Sequence, residues 1–320
     1  MDFYFEFEQK YRGSRELIKR RLSAYLPFVQ KCRSLYADCK ALDLGCGRGE
    51  WLELMQENGI DAAGVDLDDA MVSYCNGKGF SCQKKDALAA LKEAADESLC
   101  IVSGFHIAEH VPFGILMQLV HEAKRVLKPA GLLILETPNP ENPAVGSCNF
   151  YNDPSHIRPL TPALLSFLPE YEGFHRTKIL RLQEDKRLHE PENVSLFHVL
   201  TGTSPDYSIV AQKEAAPELT AGFDSLFQAD YGITLEELSQ SYDTKLHQLI
   251  ERQAQGIERL SSALREQSSR IAGLSDLISA QNRELNELRG IIMNTRHRTL
   301  FGAVEWLLKK IKRSMRLRLE

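Results

Sequence analysis

Residues 41–51 read Ala-Leu-Asp-Leu-Gly-Cys-Gly-Arg-Gly-Glu-Trp, and this stretch decides the fold. A short apolar run leads into three alternating glycines, Gly45, Gly47 and Gly49, and a helical pattern follows them. Glycine allows a backbone turn with positive φ and lets a ligand approach the main chain. The unpaired N–H groups at the start of the next helix point at whatever occupies the turn. We therefore predict a strand, a ligand-binding turn and a helix.

Strand and helix patterns alternate on both sides of this turn. A helix is predicted over 14–36, and helices over 51–58 and 112–127. Further strands are predicted over 60–66, 80–83, 98–104 and 132–136, followed by a helix and strand within 161–182 and a closing strand over 206–213. Such alternation is typical of a parallel α/β sheet. The prediction is a doubly wound, mostly parallel sheet of seven strands, with the last pair antiparallel.

Three aspartates stand at positions where such a sheet binds a nucleoside. Asp43 precedes the first glycine, Asp66 ends the second strand 19 residues after Gly47, and Asp86 ends the third strand. In doubly wound sheets the acid at the end of the second strand accepts hydrogen bonds from ribose hydroxyls. The glycine turn alone is a weak signal, but the added acids make it more specific.

With these acids, the turn resembles that of class I methyltransferases, which use S-adenosylmethionine. The resemblance covers about residues 10–214 and implies that the glycine turn packs against the methionine part of the cofactor. It further implies the following cofactor-binding residues: Gly45, Cys46, Gly47 and Gly49 in the turn; Asp43 near the amino group; Asp66 on the ribose; Asp86 on the adenine amine; Leu67 and Ala87 beside the adenine; Phe105 beside the bound cofactor; and Arg12 or Arg15 on the methionine carboxylate.

The fourth strand runs into Phe105-His106-Ile107-Ala108-Glu109-His110, which contains H-x-x-E-H. That spacing is also a zinc signature of helical metalloproteases. Pro112 argues against a continuous helix here, so we predict no metal. A polar loop that only fixes backbone geometry is one alternative. The preferred interpretation is a loop at the crevice beyond the strand ends, where His106, Glu109 and His110 are candidates for removing a proton from the acceptor.

A second polar cluster follows the fifth strand. Residues 136–142 read Glu-Thr-Pro-Asn-Pro-Glu-Asn, and residues 150–162 contain three prolines together with His156 and Arg158. Irregular segments this long inside a compact domain are usually functional. The alternative is a lid that only shields the cofactor. We select His110 and His156 as the general-base candidates.

Several short sequence motifs point to one particular group of methyltransferases within this class. Tyr-Arg-Gly-Ser-Arg-Glu, Phe-His-Ile-x-Glu-His and Asp-Pro-Ser-His-Ile-Arg-Pro look like methyltransferases encoded with bacterial surface-polysaccharide, O-antigen-type glycosyltransferases. That resemblance implies O-methylation of a hydroxyl or terminal phosphate on a glycan or lipid-linked oligosaccharide, which would cap chain growth, and a glycosyltransferase partner. Two alternatives stay open: a small quinone-like acceptor, or a scaffold whose methyltransferase fold has no activity.

The last hundred residues differ from the first part. Residues 1–214 form the predicted methyltransferase domain, 215–233 a linker, 234–295 a coiled coil and 296–320 a basic amphipathic helix. Eleven successive a and d heptad positions can be assigned, and all are apolar except the two glutamines: Ile257, Leu260, Leu264, Gln267, Ile271, Leu274, Ile278, Gln281, Leu285, Leu288 and Ile292. This pattern predicts a homo-oligomer, dimer or trimer. The alternative is a single helix packed back on the domain. An upstream seam through Leu238 and Tyr242 is out of register with it.

Charge and composition limit partners and location. The net charge is −5, while residues 296–320 alone carry +6, so no general nucleic-acid surface is expected. The terminal pattern favours an anionic membrane surface, with a protein partner as the alternative. The seven cysteines include no C-x-x-C, which favours a reducing compartment, and neither a signal peptide nor a membrane-spanning run is recognised. We predict a cytoplasmic protein, peripheral at the inner face of the cytoplasmic membrane.

Overall fold

A computed structural model describes residues 13–294 and 300–316. The chain divides into two compact units, residues 1–246 and 247–320. The first unit contains a sheet and its covering helices. The second contains most of one long helix and a shorter helix after it.

The first unit is built on a seven-stranded sheet of order β3-β2-β1-β4-β5-β7-β6. Its strands are β1 Lys40–Leu44, β2 Asp61–Asp66, β3 Ser81–Lys84, β4 Leu99–Phe105, β5 Leu127–Pro138, β6 Arg176–Leu182 and β7 Asp206–Gln212. β1 to β5 pair in parallel, and β7 runs antiparallel to both neighbours. The predicted seven-stranded, mostly parallel sheet is confirmed.

Helices cover both faces of this sheet. They are α1 Arg15–Leu22, α2 Leu26–Leu35, α3 Glu50–Glu57, α4 Asp69–Gly77, α5 Ala87–Glu93, α6 Phe113–Val126, α7 Pro143–Ser147, α8 Pro162–Tyr171 and α9 Leu196–Thr201. Successive residues of β5 alternate between two buried clusters: Leu133 packs with α5, α6 and α8, and Ile134 with α1, α2 and α3. Because strand side chains alternate in direction, a sheet buried on both faces has apolar residues at every position.

The N-terminal helix is interrupted where one helix was predicted. Ser14 caps α1 by accepting the N–H of Leu17, but a 3₁₀ turn over Ser23–Tyr25 separates α1 from α2. Pro27 lies in the first turn of α2, where its missing N–H does no harm, whereas inside one continuous helix it would remove a hydrogen bond. The interruption brings Tyr25 into the core, fully buried.

The sequence predicts a linker over residues 215–233, but the structure shows this segment folded and packed on the sheet unit. The segment forms α10 Pro217–Thr220, a 3₁₀ turn over Ala221–Phe223 and α11 Asp224–Gln228, and it packs on the sheet unit. Phe223 is buried, and the ring of Phe227 meets that of Phe28 with centroids 5.7 Å apart. Its apolar side chains bury surface that a mobile linker would leave in water.

The long helix α12 spans Leu235–Asn294, 60 residues or about 90 Å at 1.5 Å per residue. Its first turns belong to the sheet unit: Leu238 is fully buried against Leu188, Val194 and Ile233, with Tyr242 packed beside them. The early apolar residues therefore dock on the domain. This explains why they are out of register with the later heptads.

Beyond residue 246 the heptad residues lie on the surface of the single chain. Ile257, Leu264 and Ile271 are each about two-thirds exposed. The last helix, α13, spans Leu300–Arg316, and its apolar residues Val304 and Leu308 are also exposed. Arg296, Arg298 and Arg318, which belong to the predicted basic segment, lie outside the described residues. None of the helices in the described part of the chain is long and apolar enough to cross a membrane.

Candidate active site

The glycine turn between β1 and α3 is fastened to the next strand. The N–H groups of Gly45 and Cys46 both donate to the carbonyl oxygen of Val65, at 2.8 and 3.0 Å. Gly45, Gly47 and Gly49 have φ values of 69°, 52° and 73°, so all three need the left-handed region that glycine adopts without strain. The turn thus has the tight geometry that the sequence predicts.

Asp66 closes the turn from the end of β2. Its two carboxylate oxygens accept the N–H groups of Gly47 and Asp68, each at 2.9 Å. The neighbouring Leu67 is 67% exposed, a large apolar side chain presented to solvent. On the adjacent strand end, Asp86 caps α5 by accepting the N–H of Ala89 at 3.0 Å, and Ala87 begins that helix. The residues predicted for ribose and adenine thus share one edge of the sheet.

A cleft of about 450 Å³ opens beside the turn. Seven of the predicted site residues line it: Asp43, Gly45, Cys46, Phe105, His106, His110 and His156. Gly47, Gly49, Asp66, Leu67, Asp86 and Ala87 are not among the lining residues of this cleft. Cleft and edge together bring the predicted cofactor and acceptor residues to the carboxyl ends of the parallel strands, where open α/β sheets bind ligands.

Two arginines, Arg12 and Arg15, are the predicted partners of the methionine carboxylate. Arg12 lies outside the described residues. Arg15 is committed elsewhere, because its guanidinium donates to Glu53 at 2.6 Å and to the carbonyl of Arg48 at 2.5 Å. It braces the glycine turn through main-chain carbonyls and is not among the residues that line the cleft. Arg21, which sequence reasoning did not single out, is exposed and lines the cleft.

Two buried polar atoms indicate that the cleft is built for a ligand. The indole nitrogen of Trp51 and the side-chain oxygen of Gln183 have no hydrogen-bond partner within the described chain, and both residues line the cleft. Buried polar groups are nearly always paired, so such atoms indicate a partner that binds there. A cofactor with amino, carboxylate and ribose groups supplies donors and acceptors of this kind, and the site therefore fits it.

The floor of the cleft is a chain of charged and polar groups around His106. The ring nitrogen Nδ1 of His106 lies 3.1 Å from Glu109, and Nε2 lies 3.4 Å from Glu136. The buried hydroxyl of Tyr25 donates to Glu136 from the opposite side. Although burial lowers it, the two carboxylates raise the pKa of His106 well above its ordinary value. Both ring nitrogens of His106 thus face carboxylates, so His110 and His156 are the better candidates for the general base.

Two carboxyl groups near His106, Glu109 and Asp206, have pKa values shifted in opposite directions. Burial raises the pKa of Glu109, but the hydrogen bond from His106, the charges of His106 and His110 and a backbone hydrogen bond together leave that pKa below its ordinary value. Burial raises the pKa of Asp206, 3.9 Å from His106, to about 6. Thr137 also donates to Glu109, at 2.8 Å. Glu109 is thus a fully buried carboxylate that is hydrogen-bonded to His106 and Thr137.

His110 and His156 have a different environment, and their rings meet edge to face with centroids 4.6 Å apart. Nδ1 of His156 lies 2.6 Å from the carbonyl oxygen of Phe150, which only accepts, so this nitrogen carries the proton. Nδ1 of His110 lies 3.0 Å from the hydroxyl of Ser155, whose own proton goes to Asp153 at 2.5 Å. Both rings therefore use Nδ1 for these hydrogen bonds, and Nε2 is the other ring nitrogen of each.

The segment that contains H-x-x-E-H is not the helix of a metalloprotease. Ala108–His110 forms one 3₁₀ turn, and His106 before it has φ of 57°, a left-handed conformation that is uncommon outside glycine. His106 therefore turns toward the carboxylates and away from His110. The irregular segment instead brings His156 next to His110, and the N–H of Ile157 fastens it to the carbonyl of Glu109 at 2.9 Å.

Several site residues escaped sequence reasoning. Glu136 and Asp206 lie at the ends of predicted strands, where carboxyl-edge positions could have marked them. Trp51 lies in the quoted opening stretch but carried no polar signal. Tyr25 and Gln183 gave no sequence signal, since only the tertiary fold places them at the cleft.

Comparison with known proteins identifies the class. Residues 11–175 match the family model described as a methyltransferase domain. A crystal structure of an S-adenosylmethionine-dependent methyltransferase from Archaeoglobus fulgidus is 36% identical, with a TM-score of 0.58, and covers 66% of this chain and 100% of that one. The chain therefore belongs to the S-adenosylmethionine-dependent methyltransferases, and S-adenosylmethionine is the cofactor of its class.

Curated relatives are similar over shorter spans. A probable S-adenosylmethionine-dependent methyltransferase of Mycolicibacterium smegmatis is 31% identical over 156 residues, 49% of this chain and 58% of the relative. A ubiquinone biosynthesis O-methyltransferase of Methylococcus capsulatus is 30% identical over 119 residues, 36% of this chain and 49% of the relative. The chain thus spans between half and three-fifths of the length of these relatives.

Proposed function

We propose that the chain is an O-methyltransferase that transfers the methyl group of S-adenosylmethionine to a hydroxyl or terminal phosphate of a bacterial surface glycan, and so caps its growth. The observation that carries the chemistry is the pair His110 and His156, each with an available Nε2, in the cleft beside the glycine turn. The intact turn and its carboxylates argue against a scaffold without activity.

Different residues of the chain would bind the cofactor, align the acceptor and accept its proton. When bound, the cofactor supplies an activated methyl group on a sulfonium. The turn, Asp66 and the edge at Leu67 would hold it, and the cleft aligns an acceptor for in-line attack. Burial lowers the pKa of His110, so this histidine is neutral near pH 7 and accepts the proton of a hydroxyl. A phosphate acceptor is already ionised and needs alignment only.

The chemistry of the cleft supports a polar acceptor. Beside the histidines it is lined by Arg21, which can pair with a phosphate, and by Asn149, Asn152 and Asp153, whose side chains can hydrogen-bond sugar hydroxyls. The alternative acceptor, a small quinone-like phenol, is supported by the similarity to ubiquinone biosynthesis O-methyltransferases and by the apolar Ile18, Leu22 and Phe105 on the same cleft. The choice between them is experimental.

The long helix and the basic end extend this proposal. The exposed heptad seam supports a parallel homo-oligomer, a dimer or trimer, in which each chain buries Ile257, Leu264 and the later heptad residues. The exposed apolar face of α13, flanked by Lys309, Lys312 and Arg313, supports attachment to an anionic leaflet or a glycosyltransferase partner. The enzyme would then work at the inner face of the cytoplasmic membrane.

Labelled cofactor tests both acceptors in one experiment. Purified full-length protein is incubated with S-adenosylmethionine labelled in its methyl group and either surface glycans of the producing bacterium or a catechol-type quinone precursor. We expect the label in the glycan, at a position found by mass spectrometry. His156→Ala and His110→Ala should lose roughly 10²-fold or more of the rate on a hydroxyl and keep cofactor affinity. Label only in the quinone precursor would replace the glycan proposal.

A further inference from the structure

His110 and His156 have the hydrogen bonds that metal-binding histidines use. In metal sites the ring nitrogen that does not bind the ion donates to a carbonyl, carboxylate or similar acceptor, which fixes the ring and its tautomer. His156 donates from Nδ1 to the carbonyl of Phe150, and His110 donates from Nδ1 to Ser155, which Asp153 orients in turn. Each histidine is held with Nε2 as its remaining ligand atom.

A buried carboxylate completes the group. One ring nitrogen of each histidine and one oxygen of Glu109 lie within 4.8 Å of one another, and Nε2 of His156 is 4.0 Å from Oε1 of Glu109. Ligands about 2.1 Å from a tetrahedral Zn²⁺ lie about 3.4 Å apart, so closing on an ion needs shifts of roughly 1 Å or less. Thr137 holds the second oxygen of Glu109 at 2.8 Å.

Two other clusters of possible ligands are less suitable. His106, Glu136 and Asp206 lie together, but both ring nitrogens of His106 already face carboxylates, those of Glu109 and Glu136. Cys46, Cys75 and Cys82 are also close together, with Sγ of Cys46 3.2 Å from Sγ of Cys82. All three thiols are buried beside the glycine turn, and of the three only Cys46 is among the residues that line the cleft, so an experiment must separate this cluster from the histidines.

We propose that Glu109, His110 and His156 bind one divalent transition-metal ion of the Zn²⁺ class, with an open position toward the cleft. Two imidazoles and one carboxylate favour zinc, manganese or iron over magnesium or calcium, which prefer oxygen ligands. The sequence argument against zinc concerned His106 and His110 on one helix. The ligand set here replaces His106 with His156, 46 residues from His110 along the chain.

The role of this ion rests on the proposed function, although its binding does not. An ion on these three ligands lies where the acceptor oxygen must bind, and it would hold a hydroxyl or phosphate there as a Lewis acid. A metal ligand and a general base use the same Nε2 lone pair. The two roles of His110 and His156 therefore exclude each other, and metal binding decides between them.

Co²⁺ is the probe, because its visible absorption reports ligand type and geometry. Full-length protein is stripped with a chelator and titrated with Co²⁺. We expect one equivalent with visible d–d bands, and at least a tenfold loss of affinity in His156→Gln and in His110→Gln. Retained S-adenosylhomocysteine binding shows that each variant is folded. Cys75→Ser combined with Cys82→Ser is the matched control and should keep the bands.

Three outcomes overturn the proposal: no Co²⁺ binding by the native chain, equal binding by both histidine variants, or loss of the bands only in the cysteine variant. If Co²⁺ does not bind while His156→Gln abolishes methyl transfer, the metal site fails and the general-base function stands. If Co²⁺ binds as expected and neither acceptor is methylated, the metal site stands and the proposed function fails.

Discussion

The sheet unit buries its large apolar side chains, whereas the long helix exposes them. In the sheet unit Phe28, Trp51 and Met55 are buried almost completely, whereas Leu264 and Ile271 on the helix are 63% and 66% exposed. Burying such a side chain stabilises a protein by about 1.5–3 kcal/mol, so the first unit obtains that free energy within one chain. The apolar seam of the helix stays in contact with solvent in the single chain. The proposed oligomer would bury that seam.

The largest expected effect comes from charging the helix seam. Leu264→Asp combined with Ile271→Asp should convert an oligomer into a 36.2 kDa monomer, because each carboxylate would have to be buried without a partner charge. Sedimentation equilibrium measures the mass. The matched control is Ser262→Asp with Ser269→Asp, on the outer side of the same heptads, which should leave the mass unchanged. A native chain that is already monomeric would refute the proposed oligomer.

A smaller effect compares one substitution at two places on α12. Leu238→Ala, at a fully buried position, should lower the free energy of unfolding of the sheet unit by about 2–5 kcal/mol. Leu264→Ala should leave that unit's stability unchanged. Urea unfolding followed by Trp51 fluorescence, in a Trp306→Phe background, measures both. Equal effects would mean that the helix is not docked at its start and exposed beyond it.

The smallest expected effect concerns the charge of His106 and its contribution to the stability of the sheet unit. The pKa of His106 is raised in the folded state, so its charge contributes stability fully below the unfolded pKa of about 6.5 and loses it as pH rises through the folded pKa. Each unit of the shift corresponds to about 1.4 kcal/mol. The stability difference between the native chain and His106→Gln should therefore shrink from pH 6 toward pH 9. A difference that stays constant in urea titrations across this range would contradict the assignment.

Local patterns predicted most of the sheet and the turn. Gly45 to Gly49, the acid at Asp66 and the alternating strands are encoded within short windows of sequence, where periodicity and turn chemistry act. The heptads after Ile257 predicted a continuous helix for the same reason. The segment 215–233 was misread because glycine and proline suggested a linker, while Phe223 and Phe227 supplied the apolar surface that docks it.

The composition of the cleft depends on long-range packing. Tyr25 meets Glu136 across 111 residues, and His156 reaches His110 only because an irregular segment folds back over the 3₁₀ turn. No periodicity encodes such contacts. The H-x-x-E-H spacing drew attention to this region, and the selected candidates His110 and His156 lie together there. The left-handed φ of His106 turns its ring toward the carboxylates instead.

The central claim is that the edge at the glycine turn holds S-adenosylmethionine. Calorimetric titration of the full-length chain with S-adenosylhomocysteine tests it most directly, comparing the native protein with Asp66→Ala and with Asp69→Ala, an exposed neighbour that leaves the turn untouched. We predict one site per chain, affinity weakened at least about tenfold, or about 1.4 kcal/mol, by Asp66→Ala, and no change in Asp69→Ala. Unchanged affinity in Asp66→Ala, or no binding by the native chain, would contradict the account.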